Sequence, residues 1–87
     1  MSAPTPLASV VNLAEWLGEP ITGPTEVIRA EWVLRMASAL VRGETGRTWL
    51  QADGTLADDV PDDAVTVTLA AAARAYTNPD GIRQTSI

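Results

Sequence analysis

The sequence predicts an all-α fold: a small bundle of three to four helices, with a long loop between the second and third main helices and with extended termini. Apolar residues recur at intervals of three and four in separate segments, which is the spacing of one helix face. Each segment begins at a residue typical of helix starts and ends at glycine or at Asn-Pro, as helices commonly do. The 87 residues suit one domain, with an N-terminal arm at 1–8, a helical bundle at 9–78 and a C-terminal tail at 79–87.

The first helix is predicted to be short, from Val10 to about Leu17. Ser9 precedes it and suits the N-cap position, because its hydroxyl can accept a hydrogen bond from an amide of the first turn. Gly18 follows it, at the position where many helices end in a left-handed conformation. The apolar residues at helical spacing are Val10, Leu13, Ala14 and Leu17.

A longer second helix opens at Pro24 and runs to about Arg42, ending near Gly43 or Gly46. Proline suits the first helical position. Residues 44–60 then break the helical pattern, with a candidate extended piece at 45–49 and a turn at 52–55. Loops of about 15 residues are uncommon in compact domains and are often functional.

The third helix is predicted to begin around residues 60–63 and to reach Tyr76 or Thr77. Pro61 is followed by two acids, Asp62 and Asp63, which favour the first turn of a helix. Residues 78–81, Asn-Pro-Asp-Gly, form a strong turn and stop signal.

The second helix is apolar on two faces. Its core face is predicted to comprise Val27, Ala30, Val33, Leu34, Ala37, Leu40 and Val41. A second stripe, made of Ile28, Trp32, Met36 and Ala39, points roughly the opposite way. Either the other two helices cover both faces, or the second stripe contacts another subunit, and the sequence leaves both interpretations open.

The third helix has a predicted core face made of Val65, Leu69, Ala72 and Tyr76. Further alanines, Ala70, Ala71, Ala73 and Ala75, leave a slim rod that a helix of another subunit could approach closely. They could equally reflect the high helix propensity of alanine. Ala70, Ala71 and Arg74 join the Trp32 stripe as candidate subunit contacts.

The composition excludes most catalytic chemistry. The chain has no His and no Cys, which removes the commonest general base and the thiolate metal ligands. The Ser9, Ser38 and Ser86 hydroxyls have no evident activating partner, and Ser38, which lies between two alanines, is interpreted as a tolerated small residue. We therefore expect no enzyme activity and no cofactor, in a protein that acts by binding other macromolecules.

Charge and spacing argue against several kinds of ligand. The net charge of −5 repels phosphate backbones, and a helix-turn-helix would need a much tighter turn than residues 44–60 allow. The acids at 53, 58, 59, 62 and 63 do not follow the spacing of a calcium-binding loop, so we expect no metal. No apolar run approaches the ~18 residues of a membrane span, and no signal peptide opens the chain, which predicts a cytoplasmic protein at synthesis.

Short motifs occur in a fixed order along the chain: Ala-Ser-Ala-Leu-Val-Arg at 37–42, Thr-Gly-Arg-Thr-Trp at 45–49, Val-Pro-Asp at 60–62 and Asn-Pro-Asp-Gly at 78–81. In their order and spacing, and with Leu17-Gly18 before them, they resemble the head-to-tail connector (adaptor, or head completion) proteins of tailed bacteriophages. The resemblance is to those that infect actinobacteria in particular, and it covers nearly the whole chain.

The resemblance implies a helical-bundle subunit of a ring, usually dodecameric, that attaches below the portal protein of the DNA-filled capsid. Such a ring extends the channel through which double-stranded DNA passes without specific binding, and it carries the stopper or tail-completion protein. The implied location is the head–tail interface of the virion, and the host cytoplasm during assembly.

The resemblance also implies roles for two further sets of residues. The C-terminal segment commonly reaches the portal, which makes Ile82, Arg83 and Ile87 candidate portal contacts, in a segment that we expect to be shorter than in many such proteins. Candidates for the channel or for the tail side are Asp53, Asp58 and Asp59. The alternative function is a small regulatory or scaffold-type protein–protein interaction module of a bacterium or prophage.

Overall fold

Residues 5–77 are described by the computed structural model of the chain. They contain the helices α1 (Val10–Leu17), α2 (Pro24–Thr45) and α3 (Asp62–Thr77). Among these residues, pairing of the β type is limited to an isolated bridge between Leu50 and Leu56. The prediction of an all-α fold is confirmed for this part of the chain.

Both ends of α1 are capped by the residues predicted to cap it. The Asn12 backbone N–H donates to the Ser9 hydroxyl at 3.0 Å, and the Ser9 N–H donates to the Asn12 side-chain carbonyl at 3.1 Å. Gly18 has a φ of 78°, and its N–H donates to the Ala14 carbonyl at 2.9 Å. These bonds satisfy groups that a helix end otherwise leaves without a partner, and α1 has the predicted bounds.

α2 continues beyond Arg42, its predicted end, and stops at Thr45. Of the two glycines predicted to end it, Gly46 does so: its φ is 71°, and its N–H donates to the Arg42 carbonyl at 2.9 Å. Gly43 lies inside the helix. Thr45 joins the last turn because its hydroxyl donates to the Val41 carbonyl at 2.9 Å.

α2 and α3 run antiparallel. Near the start of α2, the Arg29 guanidinium lies 4.3 Å from the centroid of the Tyr76 ring, close to the end of α3. At the opposite end of the pair, Val41 and Ala64 belong to one buried cluster. α1 packs against both helices.

The main core forms where the three helices meet. α1 contributes Leu13 and α2 contributes Leu34, which are fully or almost fully buried. Small residues let the helices approach closely. The buried residues of this cluster are Ala8, Leu13, Ala30, Val33, Leu34, Ala37, Leu69, Ala72, Ala73, Ala75 and Tyr76.

A second, smaller cluster lies at the C-terminal end of α2. It consists of Leu7, Val41, Trp49 and Ala64, so it draws on four separate segments of the chain. Residues 5–8 of the predicted arm therefore pack against the helices. The Leu7 N–H donates to the Ser38 hydroxyl at 2.9 Å, which anchors this segment to the middle of α2.

The side chain of Arg42 forms hydrogen bonds with two segments that border the smaller cluster. Its Nε donates to the Thr48 carbonyl at 2.8 Å and its Nη2 donates to the Thr5 carbonyl. Partial burial lowers the pKa of this guanidinium, which remains charged at neutral pH because the ordinary pKa of arginine lies far above 7. One side chain thus joins the N-terminal segment and the α2–α3 connection to α2.

The structure corrects three of the sequence-based assignments. Leu40, predicted to lie in the core, is 61% exposed. Ala73 and Ala75, predicted to form part of a slim rod that a helix of another subunit could approach, are instead buried in the main core of this chain. Ser38 is more than a tolerated small residue, since its buried hydroxyl accepts from Leu7 and donates to the Leu34 carbonyl at 2.6 Å.

Candidate interaction surfaces

The predicted stripe on α2 is a ridge that residues 5–77 leave uncovered. Ile28, Trp32 and Met36 are 57%, 63% and 42% exposed, and Ala39 beside them is exposed too. They follow one another at i, i+4 and i+8 on the side of α2 turned away from α1 and α3. The sequence left two interpretations open. The one in which α1 and α3 cover both apolar faces of α2 is therefore wrong for residues 5–77. We call Ile28, Trp32 and Met36 the ridge.

Leu40 continues the ridge by one more step of four residues. From Ile28 to Leu40 the row is about 18 Å long, and each step of four turns it about 40° around the helix. The row therefore winds from the outer face of α2 towards α3. Leu40 was assigned to the core because it lies at the edge of that arc, where α3 does not reach over it.

Arginines accompany the ridge. The Arg35 guanidinium lies 5.3 Å from the centroid of the Trp32 ring, close enough for a cation–π contact. Arg35 and Arg42 line a depression of about 590 Å³ together with Trp32, Met36 and Ala39. The ridge is thus an apolar surface with two arginines beside it, and the exposed carboxylate of Glu31 lies one turn before Arg35.

A groove lies between the second half of α2 and the first half of α3. Its volume is about 520 Å³. Val67, which is 56% exposed, stands on its α3 side and Leu40 on its α2 side. The apolar residues that line it are Ala37, Leu40, Val41, Trp49, Pro61, Ala64, Val67 and Ala71. Two exposed carboxylates, Glu44 and Asp63, line it as well, so its charge is negative.

Trp49 sits at the inner side of this groove in an unusual backbone conformation. Its φ is 52°, a value that bulky residues rarely adopt. Its side chain is buried in the smaller cluster, and the Ala57 N–H donates to its carbonyl at 2.8 Å. This packing places the indole in the inner wall of the groove.

The groove was not foreseen from the sequence. One signal in the sequence could have indicated it. Val67 is an apolar residue that falls outside the core face of α3, which runs through Val65 and Leu69, so the predicted core did not account for it. The position of α3 along α2, which places Val67 opposite Leu40, depends on contacts between distant segments.

The three candidate subunit contacts on α3 do not share one environment. Ala71 is half-buried and lines the groove, whereas Ala70 and Arg74 are exposed. Ala71 therefore adjoins Leu40 across the groove. No contact brings Ala70 or Arg74 to the ridge among those seen in residues 5–77.

Other surfaces are less continuous. α1 exposes Val11 and Trp16, two large apolar side chains. A depression of about 510 Å³ is lined by residues 5–10 on one side and by residues of α2, among them Glu31 and Arg35, on the other. Ile82, Arg83 and Ile87, the candidate portal contacts, lie outside the described residues.

The acids of the α2–α3 connection are solvent-exposed. The Thr55 hydroxyl donates to the Asp53 carboxylate at 2.7 Å and the Thr55 N–H donates at 3.0 Å, and these bonds lower the pKa of Asp53. Asp58 and Asp59 are exposed. Over residues 5–77, no three side chains of His, Cys, Asp or Glu converge as metal ligands would.

In the same part of the chain, none of the helices combines the length and apolarity that crossing a membrane requires. Comparisons of the chain with protein-family models, with curated proteins and with solved structures give no match.

Proposed function

We propose that this chain is a structural virion protein, a subunit of the head-to-tail connector (adaptor) ring of a tailed bacteriophage. The observation that carries the proposal is the exposed ridge of Ile28, Trp32 and Met36. Large contiguous apolar surfaces on a small protein mark sites of interaction. Aromatic residues, Met and Arg are enriched at protein–protein contacts, and Trp32, Met36 and the bordering Arg35 are of these types.

A ring of identical copies places further demands on the subunit. Each copy needs two different patches, because a head-to-tail contact joins unlike surfaces. The proposal takes the subunit to be a three-to-four-helix bundle with a long loop and extended termini. It assigns the ridge and Ala39 to one patch and residues of α3, with Ala70, Ala71 and Arg74 as candidates, to the other.

The remaining partners follow from the place of such a ring in the virion. Above it lies the portal protein, which Ile82, Arg83 and Ile87 would contact, and below it the stopper or tail-completion protein. A dodecamer is the expected stoichiometry. The exposed carboxylates of Asp53, Asp58 and Asp59 would face the channel or the tail side, where negative charge lets DNA pass without binding.

The residues that carry the resemblance support the proposal through their structural roles. Ser38 and Arg42 belong to the first motif and hold the N-terminal segment through hydrogen bonds. Trp49 closes the second motif and is buried in the smaller cluster. Pro61 accepts the N–H of Ala64 at the start of α3. The three motifs within residues 5–77 thus contain residues that join separate segments of the fold.

Electron microscopy of portal rings tests the proposal. A connector gene would lie just downstream of portal and capsid genes. The portal protein of that neighbourhood is therefore mixed with the chain, and the rings are imaged with and without it. We expect an additional collar on one end of the portal ring. The same experiment with Trp32→Arg should give bare rings.

A portal ring that stays bare with the wild-type chain would contradict the connector function. A gene neighbourhood without portal and capsid genes would contradict it as well. Both results would favour the regulatory or scaffold-type interaction module instead.

A further inference from the structure

We propose that the ridge of one copy docks into the groove of a second copy, so that subunits join head to tail through these two surfaces. The ridge is Ile28, Trp32 and Met36, and the groove is the depression between α2 and α3 that contains Leu40 and Val67. The inference rests on the proposed function only for the identity of the partner, a second copy of this chain. It adds the receiving surface, which the sequence did not indicate.

The two surfaces are complementary in shape. The ridge projects from α2 as a single row of large side chains, because its members are four residues apart. The groove is concave, and its volume of about 520 Å³ is that of a pocket able to enclose a small ligand. It can therefore take up the indole of Trp32 and the thioether of Met36.

The two surfaces are also complementary in charge. Arg35 stands against the Trp32 ring, and Arg42 lines the same depression as Trp32 and Met36. The groove carries Glu44 and Asp63. Opposite charges across an interface favour the correct pairing and disfavour others.

The same charges disfavour the symmetric alternatives. Ridge against ridge would bring two Arg35 guanidinium groups to one interface, and groove against groove would bring together the carboxylates of both copies. Like charges in close contact are a common device against wrong pairings. The charges therefore select the ridge-into-groove pairing, in which each copy uses a different surface.

When copies join one after another in this way, the copy at one end keeps a free ridge and the copy at the other end keeps a free groove until the series closes. Heterologous contacts of this kind give a ring when the rotation between copies closes, and a filament when it does not. This property fits the ring of the proposed function.

Cross-linking tests the pairing directly, because the natural chain contains no cysteine. Met36→Cys places a thiol on the ridge, Val67→Cys places one at the groove, and Val11→Cys on α1 is the matched exposed control. A short bis-maleimide reagent is used, since a disulfide would demand a stricter geometry than a docked surface guarantees. The proteins are cross-linked in concentrated solution and on portal rings.

We expect the Met36→Cys and Val67→Cys mixture to cross-link at least about tenfold more than either variant alone or than any mixture containing Val11→Cys. Dominant Met36→Cys homodimers would overturn the inference in favour of a symmetric ridge contact. Equal yields in all mixtures would overturn it outright.

A second measurement uses variants that each lose one surface. Trp32→Arg removes the ridge and keeps the groove, Val67→Arg does the reverse, and Val11→Arg is the control. In sedimentation, we expect each of the first two to stay monomeric alone and their mixture to form a 1:1 dimer and nothing larger. A mixture that remains monomeric would contradict the inference.

Different results would contradict the connector function and the ridge-into-groove contact. A portal collar without selective cross-linking would overturn the ridge-into-groove contact and leave the connector function standing. Selective cross-linking without any portal collar would do the reverse.

Discussion

The hydroxyl of Ser38 joins two segments that lie far apart in the sequence. It accepts the Leu7 N–H at 2.9 Å and donates to the Leu34 carbonyl at 2.6 Å, and both groups are buried. A buried amide without a partner is costly, so this hydroxyl determines whether residues 5–8 can pack against α2.

Replacing Ser38 with Ala should lower the free energy of unfolding by about 1–3 kcal/mol, because the buried Leu7 N–H would lose its acceptor. Urea denaturation followed by circular dichroism measures this. Thr68→Val is the matched control, since the Thr68 hydroxyl only donates to the Ala64 carbonyl within α3 and its loss orphans no amide. Equal losses in the two variants would contradict the role assigned to Ser38.

Trp32→Arg should leave the free energy of unfolding within about 0.5 kcal/mol of wild type, because the side chain lies on the surface. The same variant should fail to form the collar on portal rings. Trp16→Arg makes the identical change at another exposed Trp and should retain the collar. A Trp32→Arg chain without helical circular dichroism would show instead that Trp32 belongs to the monomer core.

Two neighbouring glycines should respond to alanine in opposite directions. Gly43→Ala should stabilise the protein by about 0.5–1 kcal/mol, because alanine suits a helix interior and a Cβ there meets nothing within 4 Å. Gly46→Ala should destabilise it by about 1–2 kcal/mol, because its φ is 71°. Thermal denaturation of both variants checks the signs, and a shift in the same direction would contradict the observed end of α2.

Protonation of Asp53 should weaken the 52–55 turn in acid. Its pKa is lowered in the folded protein, so its ionised form contributes stability that is fully present above the unfolded pKa of about 3.9 and is lost as the pH falls through the lower folded pKa. An NMR titration of the side-chain carboxyl should show this depression. In Thr55→Val, which removes the hydroxyl donor, the midpoint should rise towards the ordinary value. An unchanged midpoint would show that this hydrogen bond does not cause the shift.

The helix bounds were predictable where neighbouring residues determine them. Ser9 and Gly18 act within one turn of α1, and Asp62 and Asp63 act within the first turn of α3. The end of α2 was left open between Gly43 and Gly46, and Gly43, a residue usually found at helix ends, lies in its interior. The helix ends where Gly46 adopts a left-handed conformation. Gly43 and Gly46 could both adopt it, so the sequence alone does not distinguish them.

The candidate site was predictable in part. The ridge follows from helical spacing alone, so Ile28, Trp32 and Met36 could be assigned to one face. The groove depends on how α3 is placed along α2, and on the position of Trp49 between them. Those contacts join residues far apart in the chain, which no local pattern records. Leu40 was misassigned for the same reason.

Trp49 and Leu7 share one buried cluster, so the inner wall of the groove and the docking of the N-terminal segment are thermodynamically linked. We expect a ligand that fills the groove and restricts the motion of the indole to slow hydrogen exchange at the Leu7 amide as well. Conversely, tension that pulls the N-terminal segment away from α2 would loosen the wall and release whatever the groove holds. A change in the packing of residues 5–8 would thereby alter the groove between α2 and α3.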